Sequence, residues 1–184
     1  MPSTPHTAAR PLTDLSALAL STSWVDSAPF RTHLGRLVVD TGETPRVLAL
    51  AAGVAPGTVH TLLAAGPRRR RLRARDAARV FALDRVRLAE LAATPVAAHS
   101  TQRRVGALES LGCTPGWLGA YLRLDAEGID RLMSADWCSA LVALRAAAAC
   151  GTAGLSGWWS GDGWFDDVRA PGRPCATPMR DWAA

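Results

Sequence analysis

The chain contains no lysine. All 21 of its basic residues are arginine, so every fixed cation is a planar guanidinium. That group grips phosphate and guanine through paired hydrogen bonds, where an ammonium acts as a point charge. The same bias also follows from a GC-rich coding sequence. Aromatic residues are scarce, 6% of 184 residues, and most tryptophans lie near the C-terminus. No stretch approaches the roughly 20 apolar residues of a membrane span, so no membrane partner is expected. The early run PLTDLSALAL is broken by Asp14 and lacks a strongly basic start, so no secretion signal is expected either, and the expected location is the cytoplasm. Cys113, Cys138, Cys150 and Cys175 form no C-x-x-C pair. Reduced, mostly buried thiols are expected, with no zinc or iron–sulfur site.

Catalytic signatures are missing too. There is no H-E-x-x-H, P-loop, dinucleotide fingerprint or Ser/His/Asp motif. His6, His33, His60 and His99 are dispersed. The close carboxylates of GDGWFDD read as a Gly/Asp loop before they read as a metal site. The expectation is a protein that is not an enzyme and holds no cofactor or metal.

What is present is alanine, leucine and arginine. Apolar residues make up 48% of the chain, enough for a packed core in one domain or two very small ones. The formal net charge of +5 is unevenly placed. Residues 1–100 carry 13 Arg against 7 acids, and residues 101–184 carry 8 Arg against 9 acids. Segment 66–87 alone holds 9 Arg against Asp76 and Asp84. One basic focus beside an acidic-leaning half points to a single nucleic-acid face.

Helix punctuation is frequent. Residues 1–23 read as a loose arm, with at most one helical turn near Leu12–Leu20. Ser27 and Pro29 open a helix whose inner face is Phe30, Leu34, Leu37, Val38 and Thr41, and Gly42 closes it. Thr44-Pro45 starts a second helix that Gly53 stops. Ala55-Pro56 starts a third, ended by Gly66-Pro67. Asp76 to Leu91 reads as one further helix, with Val80, Phe81, Leu83, Val86 and Leu88 as its apolar residues. Pro95 and the following AAHS read as a linker.

The pattern then recurs. Gly42-Glu-Thr-Pro45 lies over Gly112-Cys-Thr-Pro115 at a shift of 70 residues, which puts Leu48 on Leu118, Val59 on Ile129 and Leu62 on Leu132. Downstream, Val80–Leu83 falls on Leu141–Leu144 at a shift of 61, so the second copy reads as 9 residues shorter and without the arginine-rich insert. No strand-like alternation of any length is visible. The expected fold is all-α: a helix-turn-helix module at 24–95 with an Arg-rich loop, a second, degenerate module at 100–151, and an irregular Trp/Asp/Gly-rich tail at 152–184.

A helix-turn-helix needs a small residue where its helices cross, a residue tolerant of positive φ at the turn, and a branched apolar residue to seat the second helix. Ala49, Gly53 and Val59 meet these demands, with Leu48, Val54 and Leu62 in the adjoining core positions. The stretch Pro45–Leu63 resembles the helix-turn-helix of lambda-repressor-like DNA-binding domains. The layout of the whole chain is similar to two-motif DNA-binding proteins of actinobacteria and their phages. That resemblance implies a bacterial or phage transcriptional regulator partnered with double-stranded DNA.

On that reading the start and outer face of the second helix meet the bases: Pro56, Gly57, Thr58, His60 and Thr61. Arg46 is a phosphate clamp. Arg68, Arg69, Arg70 and Arg71, with Arg73 and Arg75, leave the end of that helix and bridge phosphates or enter the minor groove. Copy two carries Arg123 at the turn, Gly119 at the crossing, and Asp125, Glu127, Asp130 and Arg131 on the corresponding face. Carboxylates repel phosphate there, so copy two and the tail are read as modules for packing, self-association or a protein partner. Two other roles fit the same residues: an antitoxin-like or polymerase-associated adaptor, and a phage packaging or recombination accessory.

Overall fold

The structure, a computed structural model, describes residues 23–64 and 71–155. The N-terminal arm, the segment 65–70 and most of the expected tail lie outside the described residues.

The fold is essentially all-α. The first module runs β1 (Trp24–Asp26), α1 (Ala28–Thr41), α2 (Pro45–Ala52), α3 (Pro56–Ala64), β2 (Arg71–Arg73) and α4 (Ala74–Phe81). A connecting helix α5 (Arg85–Ala93) follows. The second module repeats the order as β3 (Pro95–Ala97), α6 (His99–Ser110), α7 (Pro115–Leu122), α8 (Ala126–Ser134), β4 (Trp137–Ser139) and α9 (Ala140–Thr152).

The local signals act as their chemistry dictates. Thr44 and Thr114 cap α2 and α7, each hydroxyl accepting from the amide three residues on, that of Val47 or Trp117. A proline in the first turn follows each cap, where its missing N–H costs nothing. Gly42 and Gly53 end their helices in the left-handed region at φ 63° and 66°. At the start of α1 the cap differs from expectation. The carboxylate of Asp26 accepts from the amide of Ala28, and Ser27 makes no side-chain cap.

The strands are the feature absent from the sequence reading. β1 pairs antiparallel with β2, placing Trp24 opposite Arg73, Val25 opposite Leu72 and Asp26 opposite Arg71. β3 pairs with β4, placing Val96 opposite Cys138. Each ribbon ties the entry of a module to the chain leaving its third helix. Three-residue strands are too short to show alternation. The segment taken for a linker, Pro95 onward, is therefore strand and the start of α6.

Strand pairing also corrects the repeat. Arg71–Arg73 stands over Trp137–Ser139, a shift of 66 rather than 61. Val80 then matches Ala146, and both are fully buried. Six residues, 65–70, join α3 to β2, and two, Ala135-Asp136, join α8 to β4, so the insert is four residues long. Alanine- and leucine-rich helices match one another at several shifts, and only the ribbon register discriminates among them.

The helix expected over Asp76–Leu91 is broken at Ala82–Asp84. Asp84 caps α5 by accepting from the Arg87 amide at 2.7 Å. The carbonyl of Leu83 in the break is paired with His33 Nε2 at 2.7 Å. The break changes the helical phase, and Phe81 and Val86, two of the segment's apolar residues, are 68% and 66% exposed.

Two apolar cores result, and α9 serves both. Leu141 and Ala148 pack with Leu34, Leu48, Val59 and Val80 of the first module. Ala146, Ala149 and Cys150 pack with Val105, Leu108, Leu118 and Leu122 of the second. Cys138 and Cys150 are free thiols. Burial pushes the Cys150 thiol up to about 12. No helix among the described residues is long and apolar enough to cross a membrane.

Candidate nucleic-acid interface

The five apolar residues expected to seat α2 and α3 face the core. Leu48, Ala49, Val54, Val59 and Leu62 are all buried. The turn is closed by the Gly53 amide donating to Leu50 O at 3.0 Å and by Val54 N donating to Ala49 O at 2.9 Å. A clamp the sequence did not announce holds it from outside: Arg79 of α4 donates to Gly53 O at 2.7 Å.

With Val59 and Leu62 turned inward, α3 presents Gly57, His60 and Thr61 as exposed residues and Pro56 and Thr58 as half-exposed ones. Beside it lies β2. Leu72 is buried, so its neighbours Arg71 and Arg73 project from the opposite face of the ribbon. Both are exposed, as is Arg75 in the first turn of α4. Arg73 sits over the ring of Trp24, its guanidinium carbon 5.7 Å from the ring centre. Trp24 is itself 55% exposed. Between α3 and the ribbon runs an open groove of about 300 Å³ lined by Gly57, Thr58, Thr61, Arg71, Arg73 and Trp24, with Asp76 also on its wall. Arg68, Arg69 and Arg70 lie outside the described residues, in the connection between the two walls.

Arg46 has a different setting. It is half-buried, and a side chain placed at Gly151 of α9 would meet its guanidinium carbon at 2.8 Å. Its guanidinium lies beside the second module's last helix.

Copy two has the same frame and a different surface. Arg123 occupies the left-handed turn position at φ 57°, the one non-glycine residue with positive φ among those described. Its side chain reaches back to the first module, donating to Thr41 O at 2.8 Å and pairing with Glu43 at 3.3 Å. Glu43, 4% exposed, also takes Arg145 of α9 at 2.5 Å, and Arg145 donates to Leu122 O at 3.0 Å. The turn of copy two is thereby docked on the α1–α2 turn of copy one. Gly119 lets the turn fold closely onto α7, since a Cβ there would lie 2.8 Å from Leu124 O. On α8, Asp125 caps the helix through Gly128 N, Glu127 pairs with Arg131, and Asp130 is exposed. That face is dominated by carboxylates.

Sequence reasoning named α3 and the arginines but not Trp24, Asp76 or Arg79, which strand pairing and helix docking bring beside them. Among the described residues no group of three or more His, Cys, Asp or Glu side chains converges as metal ligands would. No family model, curated protein or solved structure matches the chain.

Proposed function

We propose that this protein is a DNA-binding transcriptional regulator of bacterial or phage type that grips duplex DNA through its first helix-turn-helix and the adjoining arginines. The observation that carries this reading is the shared groove. The polar face of α3 and the guanidinium groups of Arg71 and Arg73 border one surface. A helix of this kind lies in the major groove with its first turn at the base edges. Small, uncharged Gly57, Thr58 and Thr61 allow close approach, and the neighbouring cations neutralise phosphates. The second module packs against the first through Arg123 and Arg145 on Glu43, and its α8 carries carboxylates where α3 carries neutral side chains. The cytoplasm is the compartment that fits such a role.

The test is duplex binding by the full chain across a series of salt concentrations. Affinity should fall as salt rises, with a log–log slope of about −0.9 for each phosphate neutralised. Selection of bound fragments from genomic DNA should enrich a common motif. Salt-insensitive binding, or none, would sink the proposal and favour the adaptor reading.

A further inference from the structure

The groove between α3 and the β1–β2 ribbon has a composition that recognition by a helix alone does not require. One wall carries the hydroxyls of Thr58 and Thr61 and the bare backbone of Gly57. The other carries Arg71 and Arg73, and Trp24 lies beside Arg73. A guanidinium over an indole face is attracted to the ring quadrupole, so Arg73 and Trp24 stand together on this wall. The indole remains more than half exposed, leaving an apolar surface beside the cations.

Hydroxyls and guanidinium groups bind phosphate oxygens. An aromatic face suits the apolar side of a sugar. Both are present along one open channel, which is the chemistry of a single sugar–phosphate strand. When α3 lies in the major groove, the strand bordering that groove passes along the helix flank, where the ribbon stands. We infer that this groove seats one backbone strand of the duplex, with Arg73 and Trp24 as a second contact element that crosses the strand from the side opposite α3. The inference rests on the DNA-binding reading above and adds the ribbon to it. Asp76 is the one carboxylate among the described residues of the groove wall, and it opposes a phosphate there.

The experiment uses the full chain, a duplex containing a selected site and an unrelated duplex of equal length. Arg73→Gln should weaken both duplexes alike and reduce the salt slope by about one. Trp24→Leu should weaken both while leaving the slope unchanged, because it removes a neutral contact, and Trp24→Phe should bind close to wild type. Asp76→Asn should tighten both duplexes. Arg131→Gln on α8 serves as the control and should match wild type. If wild type binds duplex but Arg73→Gln and Asp76→Asn bind with unchanged affinity and slope, the groove is not a strand seat. Saturable binding of a deoxymononucleotide to the protein alone would also overturn the inference, in favour of a small-ligand site. Failure of wild type to bind any duplex fails the DNA reading itself, a distinct result. Arg73 is exposed, so its variant is decisive even where Trp24→Leu lowers stability.

Discussion

Glu43 stands in the α1–α2 turn with two guanidinium groups of the other module on its carboxylate, and it is almost wholly removed from solvent. A buried charge is tolerated only when paired, and removing one partner strands the others. Glu43→Gln should therefore destabilise the protein by about 3–5 kcal/mol, measured by urea denaturation with the slope of the transition unchanged. A loss under about 1 kcal/mol, the value of an exposed ion pair, would show that the network is solvated in solution. The two turn residues show a related contrast. Gly53 has open space around it, so what the position demands is positive φ alone. Arg123 accepts the same backbone conformation, and its side chain forms contacts to Thr41 and Glu43 that a glycine cannot make.

At the scale of the element, α3 and α8 are the same helix twice, seated by Val59 and Ile129 and carrying opposite surfaces. Thr58→Ala or His60→Ala should alter which fragments are enriched in a selection from genomic DNA, since these side chains lie on the exposed flank of α3. Glu127→Ala and Asp130→Ala should leave the enriched set as it is. Asp125 is unsuitable for this comparison. It caps α8, and its loss would cost about 1 kcal/mol of stability whatever the helix faces. A changed preference in the Glu127 or Asp130 variant would recast the protein as a tandem reader of two neighbouring stretches.

Over the whole molecule, α9 decides how the modules relate. It packs against α2, α5, α6 and α7, and its Leu141 and Ala148 complete the first core. Residues 24–95 by themselves lack those two side chains, so full-length variants are the proper test of each module's role. Leu141→Ala should lower stability by about 2–5 kcal/mol and keep one cooperative transition, with circular dichroism and tryptophan fluorescence superimposing. Two separated transitions would show that the modules fold independently.

The sequence by itself determined the helical class, the Thr-Pro starts, the glycine stops and the inward set Leu48, Ala49, Val54, Val59 and Leu62. Each of these depends on residues within a few turns of one another, where spacing alone decides which side chains share a face. It also located the arginine concentration, a property of composition. Only the tertiary structure decided the rest. The ribbon that joins Trp24 to Arg73, the 66-residue register of the second copy and the break at Ala82–Asp84 depend on strand pairing and helix docking between distant segments. The same holds for Arg46 against Gly151 and for Glu43 with Arg145, 102 residues apart. Such contacts leave no periodic trace, because a single long side chain or a three-residue strand satisfies them wherever the fold brings it near.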